Sequence, residues 1–282
     1  MRSLRARKAA LALAFLVIVT CFVSPYRATV HAEEAFVTTA RAAVVIEGSK
    51  VHFEKNADEK LPIASTTKIL TAITVLETYA DIDETVTVPD AAVGVEGSSV
   101  YLEHGEKLTV RDLLYGLMLR SGNDCAEALA IVVSGSVKSF VSLMNAVAER
   151  AGASDSCFAN PHGLPAENNY STARDLAMIT LYAMRNDIFR EIVGTRRYTC
   201  PYAGRDYDRV MVNKNKMLGM IEGGNGVKTG YTKAAGRCLV SSAKRGDREI
   251  ICVVLDCGPM FEESAAMIEN AFSRSPECPS ID

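Results

Sequence analysis

Apolar residues return at Ile69, Ile73, Leu76 and Ala80, the spacing that lines one stripe of an α-helix. Similar spacing marks residues 113–119, 125–133, 137–151 and 172–185, and Thr109 ahead of Asp112 gives the first of these an N-cap with an early acid. Strand-like runs lie toward both ends instead. Residues 42–46 and 51–53 flank Glu47-Gly48-Ser49, a turn composition, and predict a hairpin. Residues 225–231, 237–243 and 249–256 are rich in β-formers, with Lys244-Arg245-Gly246-Asp247-Arg248 as the turn between the last two. An amphipathic helix over 261–272 closes the pattern, with Phe261, Ala265, Ile268 and Phe272 on its apolar face. Between 81 and 109 the chain is mixed: Val86 and Val88 alternate before Pro89 and several glycines, which predicts loops and short strands. Strands at both ends with helices between predict that the first hairpin joins the late strands. The expected fold class is α/β in the α+β sense: an antiparallel sheet flanked by helices, an all-helical lobe over about 83–190, and a cleft between them.

The chain has 282 residues, 48% of them hydrophobic, enough for a full core. Its first 32 residues are a different object: Arg2, Arg5, Arg7 and Lys8 precede an apolar run over 9–23, and Val30-His31-Ala32 offers small residues for cleavage. This is the pattern of a secretory signal peptide, residues 1–32, cut near Ala32. An uncleaved anchor is the alternative, because the run falls only slightly short of the roughly 20 residues that span a bilayer. The leader holds five of the 31 bases and none of the 34 acids, so its removal leaves 26 against 34 and a charge of about −8. That acidity argues against nucleic acid as a partner and against adhesion to an anionic membrane; after cleavage no strong membrane anchor is expected. Seven cysteines remain, without a CxxC and without histidines at ligand spacing, so no metal site is expected. If 244–249 is a tight turn, Cys252 faces Ser241 and not Cys238, which predicts no bridge between those two cysteines. Cys125, in an apolar helical stretch, reads as a buried thiol.

Three short patterns carry candidate chemistry. Ser65-Thr66-Thr67-Lys68 opens the first helix, which puts Lys68 on the face of Ser65 one turn on. There the positive end of the helix favours negative charge developing on the serine oxygen. A serine hydroxyl is a weak nucleophile until a base takes its proton. Lys68 serves as that base only if burial and a neighbouring positive charge lower its pKa, so a second cation is required nearby. Ser121-Gly122-Asn123 falls in a short loop between two helical segments, with the glycine permitting the turn. Lys228-Thr229-Gly230 lies on a late strand, where glycine lets another group approach the backbone. Taken separately, each has a bland explanation as N-cap, helix connection or strand edge.

In this order and these contexts, SxxK, SxN and KTG resemble the signature set of the penicillin-recognising serine acyltransferases. The chain resembles the low-molecular-mass D-alanyl-D-alanine carboxypeptidases, serine peptidase family S11. Asn160-Pro161-His162-Gly163-Leu164 and residues 170–176 and 226–232 extend the likeness across the mature chain. The resemblance implies a β-lactamase/DD-peptidase-like fold and a serine peptidase at the outer face of the membrane or in the cell wall. Such an enzyme removes the terminal D-alanine from peptidoglycan stem pentapeptides through an acyl-enzyme, needs no cofactor, and is inhibited covalently by β-lactam antibiotics. By resemblance Ser65 is the nucleophile, Lys68 its base, and Ser121 relays a proton to the leaving nitrogen with help from Lys228, the second cation. Asn123, Lys228, Thr229 and Gly230 bind substrate, Asn123 at the peptide amide and Thr229 with Lys228 at the terminal carboxylate. The backbone N–H groups of Ser65 and Tyr231 form the oxyanion hole. His162 reads as structural.

Departures from the family pattern matter too. Members commonly carry an arginine shortly after the last strand, near the substrate carboxylate, whereas Asp256-Cys257-Gly258-Pro259-Met260 has none. Carboxylate recognition then rests on Thr229 and Lys228 or on an arginine elsewhere. Many relatives continue into a small β-rich C-terminal domain and an amphipathic helix; the sequence soon after Phe272 predicts a single catalytic unit without them. A class A β-lactamase needs a deacylating glutamate after the second motif, and Glu167-Asn168-Asn169-Tyr170 does not match. A peptidoglycan DD-endopeptidase on the same fold and an inactive peptidoglycan-binding relative remain as alternatives, the second disfavoured by the two intact lysines.

Overall fold

The turn residues at 47–49 and 245–248 set the frame, because each joins two runs of β-formers. The computed structural model describes residues 36–274; the expected leader, Cys21 and Cys278 lie outside the described residues. In chain order the elements are β1 (Ala42–Glu47), β2 (Lys50–Lys55), α1 (Lys68–Thr78), β3 (Thr85–Thr87), β4 (Lys107–Thr109), α2 (Val110–Tyr115), α3 (Asn123–Ser134), α4 (Val137–Arg150), α5 (Ala173–Ala183) and α6 (Asp187–Gly194). There follow β5 (Arg197–Cys200), β6 (Arg209–Val212), α7 (Met217–Met220), β7 (Gly224–Thr232), β8 (Gly236–Arg245), β9 (Arg248–Leu255) and α8 (Met260–Ser273).

Both hairpins form as their turns predict, and β1 pairs antiparallel with β9, Val45 opposite Cys252. The resulting five-stranded sheet has the order β2-β1-β9-β8-β7, so the first hairpin and the late strands share one antiparallel sheet. Cys252 lies opposite Ser241, as the turn position requires, and the six described cysteines are free. Strands β1, β8 and β9 are buried on both faces, which accounts for near-continuous apolar runs such as Ile250–Leu255 rather than strict alternation. Helix α8 covers one face. Helices α5 and α6 cover the other, against β1 and β9 and against β7 respectively.

Two expected helix faces need correction. In α8 Ile268 is buried as expected, but the rest of the buried stripe is Ser264, Met267 and Ala271, one position before the expected Ala265, Ile268 and Phe272, and Phe261, Ala265 and Phe272 are only half-buried. In α1 there is no stripe: residues 68–75 are buried all round, and the helix ends at Thr78, leaving Ala80 exposed beyond it. A helix enclosed on every side is a core element, and Thr71 on it donates to Pro161 O in a neighbouring turn at 2.6 Å. Thr109 and Asp112 form a reciprocal capping box at the start of α2. Between 186 and 224, to which the sequence reading assigned no elements, the chain forms α6, the β5–β6 hairpin and α7.

The edge strand β7 is held by α6. Arg190 grips Glu249 through two bonds of 2.6 Å, Glu249 accepts from Asn225 Nδ2 at 2.9 Å, and Ser242 donates to Asn225 Oδ1 at 2.6 Å. This network fixes the end of β7 that leads into Lys228.

Candidate active site

Ser65 sits where an extended segment turns into α1. A backbone bridge from Leu61 to Ser171 holds the approach, and Ala64 adopts φ +49°, so Ser65 occupies a short 3-10 turn, Ala64–Thr67, just ahead of the α-helix expected to contain it. Thr66 and Thr67 donate to Ile63 O and Ala64 O at 2.6 and 2.9 Å, which satisfies buried carbonyls and fixes the turn. Gly163, at φ +86°, passes so close that a Cβ there would lie 1.9 Å from Ala64 O; only glycine fits.

Lys68 begins α1 and is fully buried. Its Nζ lies 3.0 Å from Ser65 Oγ and 2.7 Å from both Asn123 Oδ1 and His162 O. A neutral amine has two N–H donors and one lone pair. Asn123 and His162 use the two donors, which leaves the lone pair for the Ser65 hydroxyl proton. Burial first, and then the charge of Lys228, hold Lys68 well below the ordinary lysine range. The cation that the chemistry required is in place. His162 was read as structural from its side chain; its role here is through the main chain, while its ring meets Glu127 at 3.2 Å.

The second motif departs from its expected geometry. Helix α2 runs into a π turn, Gly116–Arg120, and it is Ser121, not Gly122, that takes the left-handed conformation, at φ +64° against −59°. A Cβ on Gly122 would lie 2.6 Å from Asp124 Oδ1, so that glycine serves close packing. Asn123 opens α3 instead of lying in a loop, and its amide is already engaged: Oδ1 accepts from Lys68 and Nδ2 donates to Glu96 O at 2.6 Å. These contacts make Asn123 a positioning group for Lys68. Asp124, 1% exposed, accepts from Ser99 Oγ at 2.5 Å, Val100 N at 3.0 Å and Leu102 N at 3.2 Å, and so fastens the loop carrying Ser98 to the head of α3.

Strand β7 supplies the third wall. Gly230 has no side chain where a Cβ would come within 3.0 Å of Ser65 N, so the strand lies directly against the nucleophile's turn. Lys228 is buried; among the described residues its ammonium donates to Thr229 O at 2.9 Å rather than to Ser121. Burial, followed by the charge of Lys214, lowers it to about 7. Ser65, Ser121, Thr229 and Gly230 line a cleft of about 600 Å³ together with Lys214 and Arg237. Among the described residues no acidic side chain lines this cleft, and Glu167 is exposed on the surface.

The geometry joins all three motifs at one cleft. A family model described as D-alanyl-D-alanine carboxypeptidase, Peptidase_S11, matches residues 28–258. This chain belongs to that family. It is 35% identical over 246 residues to D-alanyl-D-alanine carboxypeptidase DacF of Bacillus subtilis, a match covering 83% of this chain and 62% of that protein. It is 40% identical over 235 residues to the D-alanyl-D-alanine carboxypeptidase of Streptomyces sp. strain K15, covering 77% and 81%. The crystal structure of the Streptomyces K15 DD-transpeptidase superposes with a TM-score of 0.79 at 34% identity, covering 84% of this chain and 98% of that one. The antiparallel sheet flanked by helices is thus the fold of the D-alanyl-D-alanine carboxypeptidases. Against the Bacillus member the chain spans less than two thirds of the relative's length.

Lys214 is a cleft-lining cation that sequence reasoning missed. It lies in the segment to which no elements were assigned, and nothing in Asn213-Lys214-Asn215 marks it as part of a site.

Proposed function

We propose that the protein is a serine D-alanyl-D-alanine carboxypeptidase that removes the terminal D-alanine from peptidoglycan stem peptides and is acylated by β-lactams. The observation that carries this reading is the buried Lys68, 3.0 Å from Ser65 Oγ, with its other hydrogen bonds made to Asn123 and His162 and a second buried lysine nearby.

In this mechanism Lys68 takes the Ser65 proton as Oγ attacks the carbonyl between the two D-alanines. The N–H groups of Ser65 and Tyr231 receive the developing oxyanion, an effect of about 3 kcal/mol per donor. The proton that Lys68 took then passes through the Ser121 hydroxyl to the departing D-alanine nitrogen, under the field of Lys228, which leaves Lys68 neutral and Ser121 a hydroxyl again. Thr229 and the bare backbone of Gly230 hold the end of the peptide in place. Water then hydrolyses the acyl-enzyme. The substrate places the enzyme outside the cytoplasmic membrane, in keeping with the leader pattern in residues 1–32. An amine acceptor in place of water is the second reading, favoured by the likeness to the Streptomyces K15 DD-transpeptidase.

The test is acylation by benzylpenicillin, followed by intact mass and peptide mapping. A penicilloyl adduct on Ser65 that is lost in Ser65→Ala is expected. No adduct, or an equal adduct on the alanine variant, overturns the reading.

A further inference from the structure

A peptide that loses its last residue in this cleft presents a free carboxylate one residue beyond the bond being cut. We propose that Arg237 is the residue that recognises that carboxylate; the inference rests on the carboxypeptidase reading above and deepens it.

Strand register puts Arg237 in position. Arg237 lies directly across from Tyr231 in the β7–β8 ladder, and Thr229 lies across from Leu239. Residues two apart on a strand share a face, so Arg237 is the diagonal neighbour of Thr229, and such neighbours lie about 7–8 Å apart, within reach of a long side chain. Arg237 lines the cleft with Ser65, Ser121 and Thr229, and Met260 at the head of α8 lines it beside them.

The state of the guanidinium points the same way. Among the described residues its one hydrogen bond, Nη1 to Gly258 O at 3.2 Å, goes to a neutral carbonyl and fixes the side chain at the mouth of the cleft. The residue is exposed, and among the described residues no carboxylate pairs with it. Asp256, whose carboxylate lies against Gly236, makes no ion pair with it. By contrast, the surface arginines Arg41, Arg111, Arg174 and Arg245 each hold an acid within 3 Å. An arginine without an acid, in a cleft without an acid, is an open site for one supplied by the ligand.

Charge constancy separates Arg237 from the lysines. Lys68 has to be neutral to act as a base, and Lys228, at about 7, is half discharged at neutral pH. A guanidinium stays charged throughout and offers a planar fork that fits a carboxylate. Arg237 therefore supplies the permanent charge, and Thr229 the neighbouring hydroxyl.

The experiment compares two peptides, one ending in the free acid of D-Ala-D-Ala and one ending in its methylamide, with wild-type protein, Arg237→Gln and Arg237→Lys. Loss of a charged contact predicts that Arg237→Gln lowers kcat/KM for the acid by about 10–100-fold and leaves the methylamide within about twofold. Arg237→Lys recovers part of the preference for the acid. If Arg237 merely pins Gly258, both peptides suffer equally and the acid-to-amide ratio is unchanged; either that result or full activity of Arg237→Gln overturns the inference. A wild-type protein that cleaves neither peptide overturns the carboxypeptidase reading, and this inference with it.

Discussion

To act as the base proposed above, Lys68 has to lose its proton while buried, and the residues around it favour that loss. Two carbonyl acceptors consume the donors of a neutral amine, and burial with Lys228 nearby opposes the charged form. With Lys68 neutral, Lys228 is the cation buried beside it, itself lowered to about 7 by burial and by Lys214. The proposed mechanism needs the first lysine deprotonated and the second protonated. The account therefore predicts a bell-shaped kcat/KM profile that rises through the lowered pKa of Lys68 and falls near pH 7 as Lys228 discharges. Lys214 lowers both groups, so Lys214→Gln raises both and moves the whole bell to higher pH. A profile that stays put in Lys214→Gln would show that this cation does not act on the pair. Ser65, Lys68, Ser121, Lys228 and Thr229 were all legible as side chains at informative spacing. The His162 carbonyl was not, since a main-chain contact leaves no trace in residue type, and Lys214 was not, since a lone lysine in an aperiodic stretch carries no pattern.

The elements that present these side chains depart from regular geometry at the site. Ser65 rides a 3-10 turn after a left-handed Ala64, and Ser121 ends a π turn in the left-handed region itself. Such conformations persist only where the surroundings over-determine them. After Ser121 the chain is held by Gly122 N to Gly116 O at 3.1 Å and Asn123 N to Ser98 O at 2.7 Å. Asp124 braces the next turn through its carboxylate, which binds the 99–102 loop and Cys125 N at 2.9 Å. Removing it in Asp124→Ala strands several buried donors and is expected to cost about 3 kcal/mol. Differential scanning calorimetry should register this as a fall in Tm of about 6–12 °C, and a shift under 2 °C would contradict the role. Element type was legible wherever periodicity was long, as in α4 and the β8–β9 hairpin. The irregular turns were not, because their conformation is imposed by tertiary contacts such as that of Gly163 with Ala64 O. The same override explains α1, where enclosure on every side erased the amphipathic stripe expected of it.

For the molecule as a whole, topology turns three distant motifs into one site. The first hairpin completes a sheet made mostly of late strands, α1 runs through the core behind it, and the edge strand β7 stops against the turn of Ser65. The pairing of chain ends was legible from the distribution of β-formers; the α6, β5–β6 and α7 segment that braces β7 and brings Lys214 to the cleft was not. The central claim is that this assembled cleft cuts a D-alanyl-D-alanine bond at Ser65. The direct measurement is release of free D-alanine from a peptide ending in Lys-D-Ala-D-Ala, by the protein from Glu33 onward and by its Ser65→Ala and Lys68→Ala forms. Release by the wild type, absent in Ser65→Ala and reduced about 10²–10⁴-fold in Lys68→Ala, is the predicted result. Release that survives Ser65→Ala, or no release from a wild-type protein that penicillin still acylates, would contradict the account.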